Sequence, residues 1–189
     1  MIKYKLLLAS KSPRRREIMH LLRIPFSVVT IEGIDESYPL EMKPEKVSEY
    51  ISEKKADAFL KRIGPDEMII TADTVVICDG KILGKPLDEK EAFEMLRFLS
   101  GKTHKVTTGV TIATRDKRES FTTESLVTFA DLTDDEIRYY VDTFHPLDKA
   151  GAYGIQEWIG AVAVAKIDGS FYNVMGLPVH RLYQTFKNF

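Results

Sequence analysis

The sequence predicts an α/β fold with a mixed central β-sheet flanked by helices. Three observations predict it. Apolar, β-branched runs alternate with amphipathic stretches along the 189 residues, as strands joined by helices do. Asp-Gly pairs at 79–80 and 168–169 mark tight hairpins, which a purely parallel sheet does not use. Finally, 44% hydrophobic residues with no repeat, low-complexity tract or Pro/Ser linker allow one sizeable core. Residues 1–189 therefore read as a single domain.

Tyr4 to Ala9 reads as a buried strand, turned by Ser10-Lys-Ser12 into a helix that starts at Pro13, where a missing N–H costs nothing. That helix runs to Leu22 and is expected to bury Ile18, Leu21 and Leu22. Phe26 to Thr30 is a second strand, and Pro44 to about Ile63 a long helix with Val47, Tyr50, Ile51, Ala58 and Phe59 inward. Met68 to Cys78 is a strand ending at the first Asp-Gly turn. Asp88 to Leu99 is a helix opened by an Asp88/Glu91 capping box and closed at Gly101. Val106 to Thr114 and Ser120 to Phe129 read as antiparallel neighbours, and Thr133 to Val141 as a helix with a Thr133/Glu136 box. Ala161 to Ile167 and Phe171 to Val174 read as a last hairpin, followed by a helix from Pro178 to Phe186.

Composition narrows the function classes. With 27 Lys+Arg against 28 Asp+Glu, the net charge of −1 gives no global attraction to nucleic acid or acidic membrane. The single cysteine, Cys78, excludes an intramolecular disulfide framework and a Cys-only zinc site, and the histidines at 20, 104, 145 and 180 are too scattered for HExxH. No apolar run approaches the ~18 residues of a membrane span, and Leu6 to Ala9 is too short for a secretion signal, so an intracellular soluble protein is expected. GxGxxG, GxSxG and CxxC are absent. Gly101-Lys-Thr103 imitates the end of a phosphate-binding loop, but position 96 is Leu where that loop needs Gly, and the segment closes a helix instead of opening one. Gly84-Lys-Pro86 fails the same test, with Gly80 one residue too close.

Three features remain. Residues 1–23 carry seven cations against Glu17 alone, a net of +6, and Arg14 to Arg16 crowd a helix N-terminus whose dipole they oppose. A bound polyanion held by amides, the Ser10 and Ser12 hydroxyls and guanidinium forks would resolve that conflict; a solvated basic surface is the alternative. Asp73 interrupts the β-branched run Thr71 to Ile77, where a carboxylate is costly unless paired, so a metal ligand, a general base, a buried ion pair and a strand-end bulge all fit it. Asp148 to Gln156 packs Gly151 and Gly154 between polar residues, as a segment approached closely by a ligand or a strand does.

Ser10-Lys-Ser-Pro-Arg-Arg15, Ala72-Asp-Thr-Val-Val76, Gly84-Lys-Pro86, Leu99-Ser-Gly-Lys-Thr-His104, Asp148-Lys-Ala-Gly-Ala-Tyr-Gly-Ile-Gln156 and Val174-Met-Gly-Leu-Pro178 occur in this order. Together they resemble the Maf family of nucleoside triphosphate pyrophosphatases, in its dTTP/UTP-hydrolysing branch, from Leu6 to about Leu182. The resemblance implies two lobes around a cleft, a fold related to the inosine triphosphate pyrophosphatases, a divalent cation (Mg²⁺ or Mn²⁺), cytoplasmic location and frequent homodimers. It places the proton-accepting aspartate on Asp73 and substrate specificity on Arg14, Thr74 and Gln156. Further polar positions fall on Ser10, Arg15 and Lys85 by motif, and on Glu36 and Lys55 by looser local matches. Glu36 and Asp73 are then the carboxylates expected to anchor the metal. The implied partner is a nucleoside triphosphate, with neither membrane nor nucleic acid expected. Two other readings remain: a 7-methylguanosine triphosphate pyrophosphatase, against which Thr74 and Gln156 argue, and a non-enzymatic nucleic-acid-binding or cell-division regulator docking through the +6 segment.

Overall fold

The structure, a computed structural model, describes residues 3–30 and 32–189. Its strands are β1 (Lys5–Ala9), β2 (Phe26–Val29), β3 (Glu67–Cys78), β4 (Lys81–Leu83), β5 (Thr103–Ala113), β6 (Arg118–Phe129) and β7 (Val164–Asp168). The helices are α1 (Pro13–Leu21), α2 (Pro44–Leu60), α3 (Glu89–Leu99), α4 (Asp134–Phe144), α5 (Trp158–Val162), α6 (Phe171–Val174) and α7 (Val179–Asn188). The seven strands form one mixed sheet in the order β2-β1-β3-β5-β6-β7, with β4 paired to β3. β1 runs parallel to β2 and to β3, whereas β3–β4 and β6–β7 are antiparallel. The mixed character follows from the connections: helix crossovers return the chain in parallel, and the Asp79-Gly80 turn reverses it.

The chain divides into two compact units. One holds Met1–Thr74, Thr108–Thr123 and Gly176–Phe189, the other Val75–Thr107 and Glu124–Met175. In the first, Ala56, Phe59 and Ile63 from α2 and its end pack with Ile69 and Ala113. In the second, Leu96, Leu99, Phe129, Ile137, Tyr140, Tyr153 and Ile159 meet. Cys78 is buried there. Among the described residues no helix is long and apolar enough to cross a membrane.

Helix ends follow local chemistry. Ser12 caps α1 by accepting from the Arg15 amide, with Pro13 at the first helical position. At α4 Thr133 and Glu136 make a complete capping box. Gly101, at φ +69 just past α3, adopts the left-handed conformation that ends helices.

Four expectations need correction. The box at α3 is one-sided: Asp88 accepts from the Glu91 amide, but the Glu91 carboxylate takes the Leu87 amide at 2.7 Å. On α1, Met19 is buried with Ile18, while Leu21 is 56% exposed. Residues 158–162, partly assigned above to a strand, form α5. Phe171–Val174 is a helical turn, not the returning strand of a hairpin. Ser170 caps it by accepting from the Asn173 amide, and the buried Asn173 side chain donates to Val106 O at 3.1 Å and Ser125 Oγ at 3.0 Å. Satisfying those acceptors outweighs extended pairing, so β7 pairs with β6 alone.

Candidate active site

Small residues bring α2 down onto the sheet. Ser48, Ser52 and Ala56 recur every four residues on one buried face, and a Cβ at Gly109 of β5 would run into the backbone of Ser48 and Glu49. Hydroxyls then fix the helix along the strands. Thr71 Oγ1 donates to Ser52 O at 2.6 Å, and Ser52 Oγ lies 2.8 Å from Thr111 Oγ1, itself 3.0 Å from Ser120 Oγ. Residues two apart on a strand share a face, so Asp73 follows Thr71 toward α2, and Lys55 stands three residues beyond Ser52. The Lys55 Nζ bonds Asp73 Oδ1 at 2.8 Å and pairs with Glu36 Oε1 at 3.0 Å.

The segment carrying Glu36 is held by the preceding lysine. Lys54 Nζ donates to Asp35 Oδ2 and Ser37 O, each at 2.9 Å, while Asp35 accepts from the Ser37 amide and hydroxyl. These contacts hold the Asp35 carboxyl well below its usual range. Adjacent lysines thus grip adjacent acids, a pairing legible only once α2 is placed against residues 35–37.

Arg15 works from the opposite side of β3. Its Nε donates to Gly176 O at 2.8 Å, Nη1 to Ala72 O at 2.8 Å and Nη2 to Thr74 Oγ1 at 3.2 Å. Two of its five donors therefore clamp the strand on either side of Asp73, and a third ties the guanidinium to Gly176. Burial lowers the Arg15 pKa; Asp73 opposes that shift, Arg14 adds to it and Glu36 opposes it again. Gly176 sits at φ +109, a backbone conformation that side-chain-bearing residues rarely adopt, and a Cβ there would be in ordinary contact with Thr74 Oγ1 and Arg15 Nε at 3.5 and 3.6 Å. Thr74 Oγ1 is also 2.9 Å from Thr108 Oγ1. Ser10, buried, accepts from the Ser12 amide at 3.2 Å and so shapes the loop into α1, on which Arg14 is half-buried beside Arg15.

β1 pairs with β3 through Leu8↔Ile70, so Asp73 lies three residues past the last β1 partner in that register, at the carboxyl end of β1. This is where ligands bind in open α/β sheets. The first unit thus gathers Ser10, Arg14, Arg15, Glu36, Lys55, Asp73 and Thr74. Lys85 and Gln156 belong to the second, in segments tied together by the Gly151 amide donating to Gly84 O at 3.0 Å. Gln156 is exposed. Gly176, Thr108, Ser52, Asp35 and Lys54 were missed as supports; Gly176 stood in a quoted motif, and Asp35 and Lys54 in the local matches Ile34-Asp-Glu36 and Lys54-Lys-Ala56 that pointed to Glu36 and Lys55.

Among the described residues no group of three or more His, Cys, Asp or Glu side chains is placed to hold a metal ion. Glu36 and Asp73, sharing the Lys55 ammonium, offer two hard carboxylates. That donor set fits Mg²⁺ held by one or two carboxylates plus substrate phosphates, not an all-protein cage.

The mixed sheet and this charged cluster past the end of β1 define an α/β protein with acidic and basic side chains gathered at its strand ends. The chain belongs to the Maf-like protein family, whose family model matches residues 5–189. It is 53% identical over 185 residues to a Bacteroides thetaiotaomicron protein named dTTP/UTP pyrophosphatase, covering 98% of this chain and 96% of that one. A Porphyromonas gingivalis protein of the same name is 53% identical over 189 residues, covering 99% and 95%. A solved structure of a nucleoside-triphosphatase / dITP/XTP pyrophosphatase from Mycobacterium abscessus aligns at TM-score 0.46 and 12% identity, covering 97% of this chain and 94% of that one.

Proposed function

We propose that this chain is a nucleoside triphosphate pyrophosphatase that hydrolyses dTTP and UTP to the nucleoside monophosphate and pyrophosphate. Relatives sharing half of its residues across nearly its whole length bear that activity in their names. The observation that carries the reading is Asp73, bonded to Lys55 at 2.8 Å and flanked by the Arg15 clamp.

Water attacks the α-phosphorus, the bond to the bridging oxygen breaks, and pyrophosphate leaves. Asp73 orients the water and accepts its proton, help worth ~10²–10⁴-fold in rate. Lys55 and Arg14 supply positive charge against the triphosphate, and Ser10 a hydroxyl. Arg15 holds the β3 backbone around Asp73 and lends a fixed cation. Lys85 adds a further cation toward phosphate. Glu36 and Asp73 would hold Mg²⁺ or Mn²⁺, which when bound neutralises phosphate charge. Gln156 pairs its carbonyl and amide with the N3–H and carbonyl shared by uracil and thymine. Modified pyrimidine triphosphates that keep this edge are substrates too. The reading carries a cytoplasmic setting and a homodimer with it.

A panel of nucleoside triphosphates with Mg²⁺, Mn²⁺ or Co²⁺, scored for monophosphate, tests it. UTP and dTTP should lead. Preference for 7-methylguanosine triphosphate would reassign the substrate, and salt-sensitive RNA binding without turnover would reject the enzyme.

A further inference from the structure

The Asp148–Gln156 motif contains polar residues that the proposed chemistry leaves unused, and two residues outside it, Tyr140 and Glu157, tie it together. The Glu157 amide donates to Gly154 O at 3.0 Å, closing a four-residue turn with Gln156 in its third position. The Tyr140 hydroxyl spans that turn end to end: it accepts from the Gly154 amide at 3.0 Å and donates to the Glu157 carboxylate. Glu157 in turn pairs with Lys149 Nζ at 3.1 Å, which also holds Asp148 at 2.7 Å. Tyr140 is fully buried and Lys149 7% exposed, so these groups meet away from competing water. Ile155, 6% exposed, pins the turn to the core, leaving Gln156 to face outward. The Glu157 carboxylate packs against this end of the turn: a Cβ on Gly154 would lie 2.7 Å from its carboxyl carbon.

We infer that Tyr140, Lys149 and Glu157 are positioning residues for base selectivity, acting through Gln156 by clasping both ends of the turn that presents it. This rests on the reading of Gln156 as the group that pairs with the pyrimidine. A bidentate contact needs both partners aligned within a fraction of an ångström, and a turn free to rock gives up the second hydrogen bond first. Burial pushes the Tyr140 pKa up and its bond to Glu157 pushes it the same way, so the hydroxyl stays a donor across working pH.

The test uses the full chain with Mg²⁺ and compares kcat/KM for UTP with that for GTP in Tyr140→Phe, Gln156→Ala and the double variant. Tyr140→Phe removes both hydroxyl bonds and keeps the ring. It should raise KM for UTP on the order of tenfold with kcat within about twofold, and lower the UTP:GTP ratio accordingly. In the Gln156→Ala background the same change should leave the ratio where Gln156→Ala alone put it, because positioning acts only through the amide. Val127→Ala, a buried change elsewhere in that core, should lower the melting temperature without moving the ratio. If Tyr140→Phe behaves like Val127→Ala while Gln156→Ala shifts the ratio, the cluster is merely structural and the inference is overturned. If Gln156→Ala itself leaves the ratio unchanged, the base-reading role fails and the inference falls with it. Should Tyr140→Phe not fold, Glu157→Gln is read by the same criteria, since it keeps an acceptor for Tyr140 and removes the charge facing Lys149.

Discussion

Lys55 Nζ stands 2.8 Å from Asp73 Oδ1, with 14% and 15% of the two side chains exposed. An ammonium so placed compensates a carboxylate that the β-branched interior of β3 would otherwise penalise, and Glu36 shares it at 3.0 Å. The pair survives in a half-buried setting because α2 is bolted to β3 one turn earlier, through Thr71 and Ser52.

Asp73→Asn keeps the side-chain shape and a hydrogen-bonding oxygen but cannot take a proton. Turnover of UTP should fall ~10²–10⁴-fold with the fold intact by circular dichroism. Initial rates of monophosphate release check this, and near-normal turnover would remove Asp73 from the chemistry.

Arg15→Lys tests the clamp. A lysine gathers its three donors on one nitrogen and cannot span Gly176 O, Ala72 O and Thr74 Oγ1 as three guanidinium nitrogens do, so at least one half-buried acceptor loses its partner. Each loss costs about 1–3 kcal/mol, which in a chain of this size lowers the melting temperature by a few degrees. Calorimetry should show that drop together with reduced kcat. Unchanged stability would mean that the fork is not holding β3.

Gly109→Ala forces a methyl into the α2 backbone at Ser48 and Glu49. No side-chain rotation relieves a backbone clash, so α2 must shift away from the sheet and take Lys55 with it. Destabilisation of about 1–3 kcal/mol or more is expected in urea titration, with activity falling further than stability alone accounts for.

Much of this was legible in the sequence, and the gaps have physical causes. Asp73 announced itself because a carboxylate in a β-branched run demands a partner, and the Pro13 and Thr133 helix starts because capping is local. Arg15 read as a cation at a helix start, yet its acceptor at Gly176 lies 161 residues away, beyond any local pattern. The grip of Lys54 and Lys55 on Asp35 and Glu36 depends on how α2 lies along β3, which Gly109 and a chain of hydroxyls decide. Phe171–Val174 misled because a four-residue apolar run fits strand and helix alike, and the deciding bonds, from Asn173 to Val106 and Ser125, are tertiary.

His104 sets a pH limit on stability. It is 2% exposed, its Nε2 lies 2.8 Å from the Tyr153 hydroxyl, and burial pushes its pKa down from 6.5 to about 4. The unfolded chain therefore binds a proton at higher pH than the folded one. Stability is full above about pH 6.5 and is lost as pH falls toward 4, by roughly 3 kcal/mol from this residue alone. Denaturant titrations from pH 7.5 to 4 should show His104→Gln with a flatter acid limb than the parent; parallel limbs would place the proton elsewhere.

The site of bond cleavage is the most direct test of the whole account. UTP turned over with Mg²⁺ in water enriched in ¹⁸O should place the label in UMP, because water attacks the α-phosphorus and pyrophosphate departs unlabelled. Label in pyrophosphate, or release of orthophosphate as the first product, would contradict it.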